Sequence, residues 1–368
     1  MTAGLYLHIP FCMRKCGYCD FFSVGSDESL MKRFAGAVLA EISLRADGWS
    51  DTVFSTIYFG GGTPSLLEPS DISRLLNAAS RNLSIQTGEV TLECNPGTVC
   101  KERLREFRNA GINRLSIGVQ SFDDSALSFL GRIHDADAAR SAFEAARTAG
   151  FRNIGIDLIY GIPGQTPESW ASTINETISL CPDHVSMYEL TVEDGTPISV
   201  LVHDNTAAMP DDATVISMYD SAVSMLENAG IRRYEISNFA RPGSECMHNL
   251  NYWRRGRYLG VGPSAHSFRD NIRRYNLPEL DTYLTALEQR KLPPENVERL
   301  SVETADFERL MLALRASDGI SRHDLPRIYS VGIGEMIGNG LLFEAGGRIA
   351  LTRRGVMLSN EVFLRLMP

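Results

Sequence analysis

Long hydrophobic runs are absent from this chain of 368 residues. No stretch reaches the roughly 18 consecutive apolar residues that a membrane-spanning helix needs, which excludes an integral helical membrane protein. Residues 1–11 carry no basic segment ahead of an apolar core, so the sequence predicts no secretory signal. We therefore expect a soluble protein of the cytoplasm.

Positive charge is also in deficit. The chain has 36 Lys and Arg residues against 45 Asp and Glu residues, a net charge of -9, and so lacks the basic footprint of a nucleic-acid-binding protein. Hydrophobic residues make up 43% and charged residues 22% of the chain, a balance that excludes intrinsic disorder. At about 150 residues per domain, the length predicts two domains, or one large domain with an appendage.

Cysteine is scarce, since the chain has only seven. This odd number is too small for a disulfide scaffold and cannot pair completely. Cys12, Cys16 and Cys19 nevertheless lie within eight residues of one another. In a reducing compartment, such crowding indicates metal binding or redox chemistry. Scattered cysteines, three of them expected to be inert buried thiols, make up the rest: Cys94, Cys100, Cys181 and Cys246.

Strand-like and helix-like segments alternate along the first half of the chain. The expected strands are residues 5–11, 56–60, 89–95, 114–121, 153–160 and 184–191. The expected helices are residues 28–45, 70–83, 101–109, 136–149 and 168–180. This order predicts parallel strands with right-handed crossovers, in either a (β/α) barrel or an open doubly wound sheet.

The alternation of side chains along the strands favours the barrel. Glu93, Gln120 and Asp157 each lie near the carboxyl end of a strand, on the face opposite to the apolar residues. Barrel enzymes assemble their sites at that end, although a solvated strand end would give the same pattern for any one residue. We predict a partial (β/α)6 TIM-like barrel.

The alternation stops after residue 230. Residues 241–275 are rich in Arg, Gly, His and aromatic side chains, and we expect them to be irregular. A helix over 303–316, a short helix near 322–328 and a hairpin over 341–352 predict a small helix-plus-hairpin module of winged-helix-like shape. The expected divisions are a barrel over 1–235, a connecting segment over 236–300 and a C-terminal domain over 301–368.

The C-x3-C-x2-C loop after the first expected strand is the strongest chemical signal. Cysteine thiolates hold iron–sulfur clusters, and three thiolates leave the fourth iron of a [4Fe-4S] cluster without a protein ligand. An open coordination position is typical of catalytic metals. The alternatives are a zinc site, which would need a fourth ligand that His8 on its strand does not supply, and unrelated buried thiols.

Together with three further motifs, this loop resembles the radical S-adenosylmethionine (SAM) proteins, and more narrowly the oxygen-independent coproporphyrinogen oxidase group. The further motifs are residues 59–64 (FGGGTP), 93–96 (ECNP) and 157–163 (DLIYGIP). The resemblance implies that the open iron of a [4Fe-4S] cluster chelates SAM through its amino and carboxylate groups. One electron then cleaves the sulfonium bond to give a 5′-deoxyadenosyl radical.

The glycines at 60–62 lack a Cβ, which would let the backbone approach SAM closely and donate N–H groups to its carboxylate. A mere tight turn is the alternative. Glu93 is an acceptor suited to the ribose hydroxyls or the ammonium group, and Arg132 has the alternative of a solvated charge at a helix start. The resemblance implies SAM contacts from Tyr6, Gly61, Gly62, Thr63, Glu93, Gln120, Arg132 and Asp157.

Two departures separate the chain from the oxidases of this group. The oxidases read C-x3-C-x2-C-x-C, whereas Phe21 stands at the last position here, and they carry a longer segment before the loop. A heme chaperone branch shares both departures. Residues 246–253 (CMHNLNYW) also resemble the H-N-x-x-Y-W signature of that branch. The resulting heme-binding candidates are Cys246, His248, Asn249, Tyr252 and Trp253.

These residue types suit heme. His and Cys ligate heme iron, and either His248 or Cys246 could be the axial ligand. Tyr252 and Trp253 offer flat apolar faces to a porphyrin. Nearby arginines are suited to its propionates: Arg254, Arg255, Arg257, Arg273 and Arg274. The alternatives are a hydrogen-bonded structural histidine and arginines that simply face solvent.

The resemblance therefore implies a heme chaperone that passes heme to heme-accepting respiratory proteins. Such a chaperone would contact a membrane only peripherally, could be a homodimer, and has no nucleic-acid partner. The alternative is an enzyme that catalyses the oxygen-independent oxidative decarboxylation of coproporphyrinogen III. A third, weaker possibility is a radical enzyme of unknown substrate. No catalytic residue is assigned.

Overall fold

The computed structural model describes residues 2–367. The strands of its main sheet are β1 (Thr2–Ile9), β2 (Val53–Gly61), β3 (Ser84–Cys94), β4 (Arg114–Gln120), β5 (Asn153–Tyr160), β6 (His184–Glu189), β7 (Arg232–Arg233), β8 (Asn238–Ala240), β9 (Arg257–Val261), β10 (His266–Arg269), β11 (Ile272–Asn276) and β12 (Glu295–Arg299).

The helices surround this sheet and continue beyond it. They are α1 (Glu28–Arg45), α2 (Pro69–Asn82), α3 (Lys101–Ala110), α4 (Asp124–Phe129), α5 (Ala136–Thr148), α6 (Pro167–Ser179), α7 (Pro197–His203), α8 (Asp212–Asn228), α9 (Met247–Trp253), α10 (Leu280–Glu288), α11 (Val302–Arg315), α12 (Ser330–Gly338), α13 (Arg353–Met357) and α14 (Ser359–Leu366).

The strand order of the main sheet is β12-β11-β10-β9-β1-β2-β3-β4-β5-β6-β8-β7. Neighbours from β9 through β6 are parallel, and the pairs at both edges are antiparallel. Because β6 pairs with β8 rather than with β1, the strands β1 to β6 and their helices form a partial barrel. This is the predicted partial (β/α)6 TIM-like fold.

Local sequence explains why these elements form. Leu5, Leu7 and Ile9 of β1 are fully buried, as expected for a strand covered on both faces in a parallel sheet. Side-chain caps fix the starts of the crossover helices α1, α5 and α6; at α5, for example, Asp135 accepts a hydrogen bond from the Ala138 amide. The crossover helices therefore begin directly after the loops that follow the strand carboxyl ends, where the candidate site lies.

The expectation that residues 241–275 are irregular is wrong. This segment contains α9, β9 and β10, and it reaches into β11. Strand β9 pairs in parallel with β1, so Leu5 lies opposite Leu259 although more than 250 residues separate them. Pairing over that separation leaves no local sequence signal. Within the described residues the main sheet crosses the expected division at 235 and continues to Arg299, and the division itself stays a prediction.

The C-terminal residues form a small module. Helix α11 is followed by β13 (Ile320–Ser321), α12, and the hairpin of β14 (Leu342–Ala345) and β15 (Arg348–Leu351), an order typical of winged-helix modules. The expected short helix near 322–328 is wrong, because Pro326 interrupts that stretch and leaves two single 3-10 turns. Helix α12 begins at Ser330 instead. None of the helices within 2–367 has both the length and the apolarity needed to cross a membrane.

Candidate functional site

The three clustered cysteines lie in a loop that β1 delivers to the carboxyl end of the barrel. This loop is anchored to the end of β2, because the amides of Gly62 and Thr63 donate to the carbonyls of Ile9 and Phe11 at 2.8 Å each. A short parallel pairing of Phe11–Cys12 with Val24–Gly25 closes the loop. The backbone around the first cysteine is therefore fixed by contacts within the chain.

Two side chains donate hydrogen bonds to the sulfur atoms of this loop. Arg132 Nη1 lies 3.1 Å from Cys16 Sγ, and Thr63 Oγ1 lies 3.6 Å from Cys12 Sγ. Burial raises the pKa of Cys19, a hydrogen bond from the Phe21 backbone lowers it, and the nearby sulfur atoms of Cys16 and Cys12 raise it. Donors aimed at sulfur favour the thiolate, which is the form that binds metals.

The donor set fits an iron–sulfur cluster. All three cysteines are free thiols and half-buried, so each is reachable from the site. Among residues 2–367, no three His, Cys, Asp or Glu side chains converge closely enough to hold a single metal ion. The ligands of a cubane cluster bind different iron atoms and need not converge on one point. Cys12, Cys16 and Cys19 would hold such a cluster, with one iron left open.

The end of β2 requires glycines because other parts of the chain lie too close for a Cβ atom. A Cβ on Gly62 would lie 2.7 Å from the Phe11 carbonyl oxygen and 3.1 Å from Cys12 Sγ. Gly61 has a φ of 109°, and a Cβ there would meet the His8 ring at 2.6 Å. The amides of residues 61–63 donate within the chain, to Glu93, Ile9 and Phe11. The glycines thus let the cysteine loop pack against the end of β2. These amides could donate to a ligand carboxylate only if their hydrogen bonds within the chain were broken.

Glu93 lies inside the barrel beside this glycine segment. Its carboxylate accepts hydrogen bonds from Tyr58 Oη at 2.8 Å and from the Gly61 amide at 3.1 Å. Burial raises the pKa of Glu93 to about 7, and the neighbouring Asp157 carboxylate adds to the rise. The group is therefore poised near neutrality, and a cationic or hydroxyl-bearing ligand would favour its ionised form.

Asp157 is held by the strands on either side of it. Ser116 donates to both of its oxygens at 3.0 and 2.9 Å, and Ser186 donates to Oδ1 at 2.6 Å. Burial raises the pKa of Asp157, while the two serines lower it. These bonds hold the carboxylate in one orientation in the barrel interior, near Glu93.

Gln120 and Arg132 lie where β4 meets the cysteine loop. Gln120 has a φ of 69°, a left-handed conformation that is strained for a residue with a side chain. Arg132 Nη2 donates to the Gly118 carbonyl at 2.7 Å while its Nη1 reaches Cys16. Its Nε is buried and has no partner among the described residues, so one donor remains for a ligand. The alternative of a solvated helix-start charge does not hold for Arg132.

Tyr6 completes the interior. Its hydroxyl lies 3.1 Å from His8 Nδ1, and its ring stacks on Tyr58 at 6.1 Å. Burial raises the pKa of Tyr6 well above its ordinary value, so the phenol stays neutral. Of the residues predicted to contact SAM, Thr63 and Arg132 donate to the cysteine sulfur atoms. Tyr6, Glu93 and Asp157 lie in the barrel interior, on the strands that precede these loops.

The heme candidates all lie on α9 or at its N-cap, but they do not face one common cavity. His248 is buried on α9 inside the barrel, where its Nδ1 lies 2.8 Å from Thr56 Oγ1 and its Nε2 lies 2.9 Å from Tyr252 Oη. Burial lowers its pKa to about 3. Both ring nitrogens are used, so His248 offers no free nitrogen to an iron. Its ring stacks on Tyr58 at 5.1 Å and packs α9 beneath the Glu93 site.

The other members of the motif fill different places. Cys246 is buried, and its Sγ donates to Glu89 at 3.6 Å; Tyr252 packs edge-on against Tyr258 at 4.7 Å. Asn249 is half-buried on α9, while Trp253 lines a cleft against the C-terminal module. The prediction that His248 or Cys246 ligates heme therefore finds no support, because both side chains are buried and hydrogen-bonded.

Four of the five arginines expected to face propionates are bound to the chain's own carboxylates. Arg255 and Arg273 pair with Glu308, Arg257 pairs with Asp270, and Arg274 pairs with Glu295. Only Arg254, which is exposed, makes no side-chain hydrogen bond or ion pair within residues 2–367. These ion pairs join β11 to β12 and to α11, and β9 to the turn between β10 and β11.

Sequence reasoning missed Tyr58 and Glu89. Tyr58 lies opposite Tyr6 in the sheet register, and the alternation of Thr56, Tyr58 and Gly60 along β2 is the signal that could have found it. Glu89 accepts the amides of Met247 and His248 at 3.0 and 2.9 Å, and so caps α9 from a distant strand. No local sequence pattern predicts that contact.

Comparisons with known proteins show the family of this chain. The model of the Radical SAM superfamily matches residues 6–177. Heme chaperone HemW of Bacillus subtilis is 33% identical over 370 residues, covering 97% of each chain. Heme chaperone HemW of Mycobacterium tuberculosis is 34% identical over 373 residues, covering 99% of this chain and 94% of the relative.

A solved structure of coproporphyrinogen III oxidase (HemN) from Escherichia coli, a radical SAM enzyme, superposes with a TM-score of 0.84. It is 23% identical, and the match covers 100% of this chain and 90% of that chain, a likeness that shows the shared fold. The cysteine loop, the glycine segment and the interior carboxylates described above lie within the matched superfamily region. The chain belongs to the radical SAM superfamily and, within it, to the family of the HemW proteins.

Proposed function

We propose that this protein is a heme chaperone of the cytoplasm, which binds heme together with a [4Fe-4S] cluster and SAM and transfers the heme to apo-acceptors such as respiratory proteins. The observation that carries the proposal is the near-full-length similarity to two proteins named heme chaperone HemW. Phe21, at the position where the oxidases carry another cysteine, supports this reading over an oxidase.

The cluster part of the proposal rests on the donor set. Cys12, Cys16 and Cys19 supply thiolates, and Arg132 and Thr63 donate hydrogen bonds to sulfur. When bound, a site-differentiated cluster supplies the electron that cleaves the SAM sulfonium bond. The chain's own residues would hold and orient SAM at the open iron.

The SAM part rests on groups left available around that iron. The Glu93 carboxylate, with a pKa near neutrality, suits the ammonium group or the ribose hydroxyls, and Arg132 Nε is an unpartnered donor. The ring of Tyr6 and the fixed Asp157 carboxylate border the same interior. We propose SAM contacts from Tyr6, Gly61, Gly62, Thr63, Glu93, Gln120, Arg132 and Asp157.

Anaerobic reconstitution followed by heme titration, with and without SAM, tests the proposal. We expect stoichiometric iron–sulfur assembly, saturable heme uptake by the reconstituted protein, and heme transfer to a respiratory apo-protein. Coproporphyrinogen III, incubated with SAM and a reductant, should stay unchanged. Formation of vinyl groups with SAM consumption, together with no heme uptake, would instead identify an oxidase.

A further inference from the structure

A cleft of about 630 Å³ is lined by Trp253 at the end of α9 and by residues of the C-terminal module. This volume is in the range of cofactor-sized sites, which are roughly 300–1,000 Å³. Trp253 on α9 and Ala313 on α11 supply apolar surface, and the nearly buried Ala316 and Ile320 also line the cleft. The Arg315 guanidinium stacks on the Trp253 ring at 4.5 Å and holds the indole in place. The cleft therefore has a fixed aromatic wall.

An imidazole stands at this cleft. The side chain of His323 is 96% exposed, and its Nδ1 lies 3.5 Å from Asp324 Oδ1. Metal-binding histidines commonly donate one ring N–H to a carboxylate, which leaves the other nitrogen for the metal. His323 Nε2 has no hydrogen-bond partner among residues 2–367.

The other six histidines are less suited to bind an iron in a cleft. The rings of His8, His134, His184 and His248 are buried and hydrogen-bonded. His266 lies flat against Tyr275 at 4.9 Å, and exposed His203 ends α7 without lining either of the two clefts described here. His323 alone combines an accessible ring nitrogen with a cleft.

Cationic side chains border the same cleft. Arg254 makes no side-chain hydrogen bond within the described part of the chain, and Arg309 uses only Nη1, in an exposed pair with Asp306 at 3.1 Å. Arg348 is engaged by the carbonyl oxygens of Asp318 and Gly319. Arg254 and Arg309 are therefore the two guanidinium groups available to carboxylates, which Arg binds in bidentate fashion.

A neighbouring cleft of about 670 Å³ shares Arg254 but lacks an imidazole. Its Arg255 and Arg257 are bound to carboxylates of the chain, and Met247 is the only lining residue there of a type that ligates heme iron. The cleft at Trp253 therefore offers an imidazole, an indole ring and a second available guanidinium group that its neighbour lacks, beside the carboxylates of Asp318 and Asp324.

We propose that the cleft between Trp253 and the C-terminal module is the heme-receiving site, with His323 Nε2 as the iron ligand, the Trp253 ring against the porphyrin, and Arg254 and Arg309 at the propionates. This inference rests on the proposed function and assigns its cargo a place outside the barrel. It also explains how Trp253 can serve heme while His248, five residues earlier, stays a structural residue.

Titration of the full-length reconstituted protein with ferric heme, followed by its Soret band, tests the site. His323→Ala should shift the Soret band and weaken heme binding by at least about tenfold, an affinity change of roughly 1.4 kcal/mol. The same variant should bind metal-free protoporphyrin IX as the unmodified protein does. Arg254→Glu combined with Arg309→Glu should weaken both ligands, because the propionates are common to both.

His203→Ala is the matched control, since it removes an exposed histidine that lines neither cleft, and it should change nothing. Heme binding with an unchanged Soret band in His323→Ala, and unchanged affinity in the double arginine variant, would overturn the site while leaving the chaperone function intact. Loss of binding in Met247→Leu with retention in His323→Ala would move the heme to the neighbouring cleft. Absence of heme binding by the unmodified protein would overturn the proposed function and the site together.

Discussion

Glu93 should make SAM binding depend on pH around neutrality. Burial raises its pKa to about 7, and only its ionised form can accept hydrogen bonds with both oxygens from a cationic ligand. The apparent affinity scales with the ionised fraction, so binding that needs the carboxylate is about tenfold weaker at pH 6 than at pH 8. The affinity therefore rises as pH increases through about 7.

Isothermal titration calorimetry of the reconstituted protein under anaerobic conditions measures this effect, with Glu93→Gln as the matched variant. The amino group of SAM also titrates, with an ordinary pKa of about 8, but it does so equally in both proteins. The contribution of Glu93 is the difference between their pH slopes. Identical slopes in the two proteins would refute the assignment of Glu93 to the ligand.

The same carboxylate should cost stability when no ligand is bound. Because its folded pKa of about 7 lies above the ordinary value of 4.5, the folded state holds its proton more tightly than the unfolded state does. The free energy of unfolding therefore falls as pH rises from about 4.5 to 7, by up to about 3 kcal/mol. Denaturant unfolding should show Glu93→Gln stabilised above pH 7 and little changed near pH 4; a variant destabilised above pH 7 would contradict this.

Three further substitutions test the other parts of the account. Cys12→Ala should abolish the brown iron–sulfur absorbance after reconstitution, whereas the exposed thiol of Cys181 can be replaced by Ala without effect; a full cluster in Cys12→Ala would refute its role as a ligand. Gly62→Ala should lower the free energy of unfolding by about 1–3 kcal/mol and reduce cluster retention, because the added Cβ would lie 2.7 Å from a backbone oxygen. The control Gly88→Ala adds a Cβ in open space and should be neutral. His248→Ala should lower thermal stability but leave heme uptake intact; a changed Soret band would return His248 to the heme site.

Much of the barrel could be predicted because its signals are local. Strand and helix periodicity alternate along the first 190 residues, and inward-facing polar residues mark strand carboxyl ends. Glu93 and Asp157 were found this way, and the structure places both in the interior beside one another. The alternation of side chains along β2 places Tyr58 on the same inward face, opposite Tyr6.

Contacts between distant segments could not be predicted. The cap that Glu89 provides to α9 joins residues more than 150 positions apart, and β9 reaches the sheet only through β1. His248 beside aromatic residues has the same local pattern whether it ligates iron or fills a barrel. Only its two hydrogen-bond partners, Thr56 and Tyr252, decide for the structural role.

The central claim is that three thiolates leave one iron of a cubane open for SAM. Mössbauer spectroscopy of anaerobically reconstituted, iron-57-labelled protein, recorded with and without SAM, tests it most directly. The account predicts a [4Fe-4S] spectrum in which one iron site alone changes when SAM is added. Bound zinc without inorganic sulfide, or a cluster whose iron sites are all unaffected by SAM, would contradict it.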